Sequence, residues 1–157
     1  MLSPDALKEI DRAIAKYPPE QRQSAVMAAL TVAQDEKGSL STETMNFVAD
    51  YLQMPPIAVY EVATFYTMYD LQPPGKVKLC ICTNLPCALS GAQVAAEHLQ
   101  KKLGIDWNET TADGRFTLKQ GECFGACGDA PAILVNNKKM LSFMTPEKID
   151  KWIAEQE

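Results

Sequence analysis

The sequence has a single histidine, His98, and no run of apolar residues near the ~18 that a membrane-spanning helix needs. One histidine excludes metal sites with several imidazole ligands, including a Rieske centre. No cluster of Lys and Arg is present and the formal net charge is −5, which argues against a nucleic-acid-binding surface. Because the motif Gly-x-Gly-x-x-Gly is also missing, we do not expect dinucleotide binding of that kind.

The amino-terminal residues lack the features of a targeting segment. Met1 to Asp5 contains no basic residue and no long apolar stretch, and the first arginine is Arg12. This predicts a cytoplasmic, bacterial-type protein without a signal or transit peptide. Apolar residues make up 46% and charged residues 22% of the chain, as in an average globular protein.

Charge and cysteine divide the sequence into two parts. Residues 1–74 carry five Lys and Arg against ten Asp and Glu, whereas residues 75–157 carry ten against ten and contain all five cysteines. The loop Gln72–Gly75 includes Pro-Pro-Gly, which interrupts regular structure. We therefore predict two domains, 1–74 and 75–157.

The first part, residues 1–74, is predicted to be an N-terminal helical bundle. Ser3 and Ser41 can each cap a helix, and Gly38 can end one. Prolines separate the segments at Pro18-Pro19 and at Pro55-Pro56. Apolar residues recur at helical spacing between these positions, which predicts four helices.

The fourth predicted helix, from Pro56 to about Tyr69, is apolar nearly all round, with Glu61 as its only charge. Such a helix is buried on more than one side. It is either the central helix of the bundle or a helix with one face covered by a partner protein. On the second interpretation we expect Phe65, Met68 and Tyr69 to lie outside the core, so that Tyr69→Asp would weaken docking.

The second part alternates strands and helices in the order β-α-β-loop-β-β-α. The strands are predicted at 76–82, 115–119, 132–135 and 140–143, and Ser90 with Gln93 has the spacing of a capping box. Thr145 can cap the last helix, with Pro146 at its first position. This order is compatible with a thioredoxin-like α/β domain, which makes the whole chain α+β.

Four cysteines form two pairs in loops that follow strands, Cys82 with Cys87 and Cys123 with Cys127. Four thiolates are the usual ligands of an iron–sulfur cluster. Glycines beside the second pair, among them Gly125, let the main chain approach such a site closely. A binuclear iron–sulfur cluster is therefore the main hypothesis, with no catalytic residues assigned.

Other uses of the cysteines remain open at this point. Structural zinc usually shows Cys-x2-Cys spacing, which neither pair has, and a thioredoxin-type dithiol also needs Cys-x-x-Cys. A disulfide framework is typical of secreted chains. We interpret Cys80 as a small buried residue and His98 as structural or on the surface.

Four segments of the sequence resemble a known family. They are Val62–Met68, Cys82–Cys87, Asp113–Leu118 and Glu122–Pro131. The chain is similar, over nearly its whole length, to the thioredoxin-like [2Fe-2S] ferredoxin component, or E subunit, of respiratory NADH:quinone oxidoreductase (complex I).

This resemblance implies a fold, a cofactor and partners. Cys82, Cys87, Cys123 and Cys127 would bind the iron of a [2Fe-2S] cluster in a thioredoxin-like domain. The helical part would pack on a flavoprotein subunit that binds FMN and NADH, where the hydride chemistry takes place. The chain would then be an electron-transfer subunit, held at the inner membrane through other peripheral-arm subunits. Alternatives are the equivalent subunit of an NAD-linked hydrogenase or formate dehydrogenase, and a stand-alone [2Fe-2S] ferredoxin.

Overall fold

The computed structural model describes residues 1–156 and divides the chain into two compact units, Met1–Pro73 and a second unit that begins at Pro74. The first unit is helical and the second combines helices with a sheet, so the predicted α+β class is confirmed. Within residues 1–156, no helix is long and apolar enough to cross a membrane.

The first unit contains four α-helices and one 3-10 helix. Their bounds are α1 Pro4–Ile14, a 3-10 helix Pro19–Ala25, α2 Val26–Lys37, α3 Thr42–Leu52 and α4 Pro56–Phe65. Ser3 and Ser41 cap α1 and α3, since each side chain accepts a hydrogen bond from the main-chain N–H three residues on. Gly38 follows α2 with φ +81°, a left-handed conformation that glycine adopts at little cost.

The end of the fourth helix differs from the prediction. Helix α4 ends at Phe65, not near Tyr69, and buries only Val59 and Ala63 fully. Tyr69 is 4% exposed and its hydroxyl donates a hydrogen bond to the Met27 carbonyl (2.9 Å), whereas Phe65 is 77% exposed. The expectation that Tyr69 lies outside the core is therefore wrong. The exposed aromatic side chains at this end of α4 are Phe65 and, to a lesser degree, Tyr66.

The second unit is built on a four-stranded mixed sheet. The elements are β1 Val77–Cys82, α5 Leu85–Leu89, α6 Ala92–Leu103, β2 Phe116–Gly121, a 3-10 helix Cys127–Asp129, β3 Ile133–Val135, β4 Lys139–Leu141 and α7 Pro146–Ala154. The strand order is β2-β1-β3-β4, with β1 parallel to β2 and antiparallel to β3. Because β1 is an interior strand, every residue from Lys78 to Cys82 is buried.

The predicted capping residues mark the start of α7 but not the start of α6. Thr145 caps α7 as predicted, and its hydroxyl accepts from the Lys148 N–H. The Ser90–Gln93 capping box is absent, because Gly91 precedes α6 with φ +93° and the Ser90 hydroxyl donates to the Pro86 carbonyl instead. Helix α5 also occupies part of the segment that was predicted to be a loop, so Cys87 lies in a helix. Helices α6 and α7 cover the core around Leu79, Leu118 and Ile133.

Candidate metal centre

Both cysteine loops leave the sheet at the same edge. Strand β1 ends at Cys82 and strand β2 ends at Gly121, and these two residues are Cα partners in the parallel pair. The carboxyl ends of parallel neighbours lie together, so the segment Cys82–Cys87 and the segment after Gly121 start side by side. Parallel pairing thus brings together cysteines that are far apart in sequence.

The first pair is buried. Cys82 is 2% and Cys87 is 3% exposed, and with Ala92 they form a small apolar cluster of their own. Burial raises the pKa of the Cys87 thiol, and its hydrogen bond and charge interaction with Cys82 raise that pKa further. A hydrogen bond from the Ala132 main chain acts in the opposite direction. The two thiols are therefore in direct contact.

The second pair is exposed. Cys123 accepts a hydrogen bond at its Sγ from the Gly125 N–H (3.3 Å), and Cys127 begins a short 3-10 helix. Gly125 has φ +70°, which a residue with a Cβ rarely adopts. Cys127 lies close enough to Cys87 to raise the pKa of the Cys87 thiol by charge interaction. Cys127 therefore lies near the buried Cys87, whereas Cys123 is hydrogen-bonded to Gly125 in its own loop.

Two side-chain hydrogen bonds join the segment after β1 to the end of β2 and the segment that follows it. The Asn84 amide donates to Glu122 Oε2 (3.0 Å), and the Gln120 amide donates to Thr83 Oγ1 (2.8 Å). These four residues were not predicted from the sequence. These hydrogen bonds form because β1 and β2 pair in parallel. The only sequence signal for them was that both cysteine segments follow predicted strands.

The fifth cysteine and the single histidine, which were not predicted to be ligands, have different surroundings. Cys80 is buried two residues before Cys82 on β1, as predicted for a small apolar residue. His98 lies on α6, where its Nε2 is 2.9 Å from Asp150 Oδ1 on α7. Lys102 Nζ is 3.2 Å from the same oxygen, so His98 and Lys102 on α6 both contact the Asp150 side chain on α7.

In residues 1–156, no three or more His, Cys, Asp or Glu side chains are grouped so as to hold a metal ion. A single zinc ion needs three or four donors around one point. A [2Fe-2S] cluster distributes four thiolates over two irons. The four cysteines fit the second requirement in donor type and number. Cys82 and Cys87 are in contact, Cys127 lies near Cys87, and Cys123 is in the same loop as Cys127.

Comparison with known proteins gives consistent results. A family model described as thioredoxin-like [2Fe-2S] ferredoxin matches residues 10–157. The chain is 42% identical over 143 residues to the E subunit of NADH-quinone oxidoreductase from Rickettsia felis, covering 90% of this chain and 85% of that protein. It is 44% identical over 130 residues to an E subunit of the same enzyme, designated E 2, from Rhizobium meliloti, covering 83% and 76%.

A solved structure with a similar fold is the NAD+-reducing [NiFe]-hydrogenase in its H2-reduced state. The TM-score is 0.68 at 21% sequence identity. The match covers 80% of this chain, so it extends beyond the unit that begins at Pro74. It covers 21% of the hydrogenase chain. At this identity the likeness concerns the fold alone.

Proposed function

We propose, from the premise that the chain belongs to the thioredoxin-like [2Fe-2S] ferredoxin family, that it is the electron-transfer E subunit of an NADH:quinone oxidoreductase. The observation that carries this proposal is the meeting of two cysteine pairs at one sheet edge, in a chain 42% identical over 90% of its length to such a subunit. The chain would act within the complex and not as an enzyme alone.

Cys82, Cys87, Cys123 and Cys127 would hold the cluster, which when bound supplies one-electron acceptance and donation. The chain's own residues define its surroundings. Buried Cys82 and Cys87 would keep one side away from water, while exposed Cys123 and Cys127 leave the other side open. The Gly125 N–H already donates to Cys123 Sγ, and such hydrogen bonds stabilise negative charge on sulfur.

The partner would be the flavoprotein subunit, which binds FMN and NADH and carries out the hydride transfer. Two features of the helical unit support docking: its net acidity and the 77% exposed ring of Phe65 at the end of α4. Large exposed aromatic side chains are common at protein interfaces. Through this partner and other peripheral-arm subunits, the chain would be held at the cytoplasmic face of the inner membrane.

The alternatives have weaker support. A subunit of an NAD-linked hydrogenase or formate dehydrogenase would have the same fold, but the similarity to the hydrogenase is 21% identity, against 42–45% for E subunits. A stand-alone ferredoxin would need only the unit that begins at Pro74. The helical unit has no role in that interpretation.

Purified protein tests the proposal. We expect two irons and two acid-labile sulfides per chain and an EPR signal on reduction, with no NADH oxidation by the chain alone. Co-expression with the flavoprotein partner should give a complex that reduces an artificial acceptor with NADH. One zinc without sulfide would reject the cluster. A loaded chain that never associates with the flavoprotein would favour the stand-alone carrier.

A further inference from the structure

Phe124 is a large apolar side chain between the two cysteines of the second pair. It is partly buried, although Cys123 and Cys127 on either side of it are exposed. The ring packs against the buried cluster of Cys82, Cys87 and Ala92. One side chain of the second cysteine loop therefore reaches the cysteines of the first.

Gly121 and Cys80 lie against this ring. A Cβ at Gly121 would lie 2.5 Å from Phe124 Cζ and 2.8 Å from Cys80 Sγ, well inside the ~3.5–4.0 Å of favourable nonbonded contact. Gly121 does not have a positive φ, so close packing and not backbone conformation is what requires glycine here. Together Gly121 and Cys80 form a notch that the ring fills.

The rest of the loop is held mainly at its two ends. Glu122 accepts a hydrogen bond from Asn84, and the Asp129 carbonyl accepts one from the Phe143 N–H (2.8 Å). Between these two anchors, Phe124 is the described residue that packs against the buried cysteines. Phe124 is therefore the apolar contact between the middle of this loop and the buried pair.

We propose that Phe124 is a positioning residue: its ring, seated in the notch of Gly121 and Cys80, fixes Cys123 and Cys127 relative to Cys82 and Cys87. This inference rests on the proposed cluster function and adds a residue that does not itself bind iron. Groups that orient metal ligands typically change metal affinity or activity by roughly 10–100-fold when they are removed. The sulfur of Cys80, which lies with the ring against Gly121, also suits an aromatic neighbour.

The test uses the full chain purified with its cluster. Phe124→Ala empties the notch, Phe124→Leu keeps most of the apolar volume, and Gly121→Ala pushes the ring out without altering a cysteine. Phe47→Ala is the matched control, because Phe47 is also a partly buried phenyl but belongs to the helical unit, near Tyr51. The measurements are far-UV circular dichroism, the rate at which a chelator extracts iron, and the EPR spectrum of the reduced protein.

We expect Phe124→Ala and Gly121→Ala to release iron roughly 10-fold faster than wild type and to broaden or shift the EPR signal. Phe124→Leu should lie within about threefold of wild type, since it still fills the notch. Phe47→Ala should lower the stability of the helical unit but leave extraction rate and EPR signal unchanged. In the double variant, Gly121→Ala should add less than it does alone, because the ring that it displaces is already gone and only the contact with Cys80 Sγ remains.

Three results would overturn the inference. Folded Phe124→Ala with a wild-type extraction rate and EPR signal would show that the ring does not position the loop. An unaffected Gly121→Ala would show that the notch is not its seat. Equal iron loss from Phe47→Ala would assign the effect to general destabilisation. Wild-type protein without iron would instead reject the proposed function, so the two failures are distinguishable.

Discussion

Cys82 and Gly121 are partners at the last position of the parallel strands β1 and β2. One residue begins the first cysteine segment and the other immediately precedes the second. Their pairing explains how two pairs of thiols separated in sequence reach one sheet edge. It also explains why the two residues need different properties: Cys82 presents a buried thiol, and Gly121 leaves room for the Phe124 ring.

Replacing one cysteine at a time should distinguish the four proposed ligands from Cys80. We expect serine at Cys82, Cys87, Cys123 or Cys127 to lose or alter the cluster, because a soft thiolate is replaced by a harder oxygen ligand. Cys80→Ser should retain the EPR signal. Iron and sulfide content, read beside the EPR spectrum, checks this. The ligand assignment is wrong if Cys80→Ser destroys the cluster while one of the other four serines preserves it.

Charge at the end of α4 should affect docking only where the side chain is exposed. Phe65→Asp should weaken co-purification with the flavoprotein, since an unpaired charge is costly in an interface, and should leave the thermal unfolding temperature near wild type. Phe65→Tyr is the control and should bind normally.

Tyr69→Asp, by contrast, should lower the free energy of unfolding by on the order of 3 kcal/mol, because Tyr69 is buried and its hydroxyl is bonded to Met27. Loss of docking by Tyr69→Asp in a fully stable protein would contradict this assignment of core and surface.

Asp150 should contribute to stability in a pH-dependent way. Its hydrogen bond with His98, then that with Lys102, holds the pKa of Asp150 below its ordinary value. Because the folded pKa is the lower one, this stabilisation is present above the unfolded value of about 4 and is lost as pH falls through the folded pKa.

Asp150→Asn should therefore flatten the loss of stability below about pH 4. Denaturant unfolding followed by the fluorescence of Trp107 and Trp152, both in the second unit, measures this. If the free energy of unfolding of Asp150→Asn falls with decreasing pH as steeply as that of the wild type, the interactions of Asp150 with His98 and Lys102 do not contribute to stability.

Alanine substitutions at adjacent positions of β3 should differ strongly in how much they lower the free energy of unfolding. Ile133 is buried in the core of the second unit, whereas Leu134 is half-buried. Ile133→Ala should reduce the free energy of unfolding by about 3 kcal/mol, since a buried cavity is left. Leu134→Ala should cost clearly less. Equal losses measured by denaturant titration would mean that β3 is covered equally on both faces.

Several helix starts were predictable because helix caps are local. Ser3, Ser41 and Thr145 each bond to an N–H three residues later, so their role can be inferred from a short segment. The same reasoning failed at Ser90, where Gly91 turns the chain with a positive φ. The prediction for Tyr69, made from helical spacing, failed because α4 ends at Phe65 and the Tyr69 hydroxyl donates to the carbonyl of distant Met27.

The amino-acid sequence established the α+β class, the order of the strands along the chain and the spacing of the two cysteine pairs. These follow from periodicity, turn residues and side-chain chemistry, which act over a few residues. Tertiary structure decided that β1 pairs in parallel with β2, that Cys82 and Cys87 are buried while Cys123 and Cys127 are exposed, and that Phe124 sits over Gly121. Such contacts join segments far apart in the chain, and their stability depends on how the whole core packs.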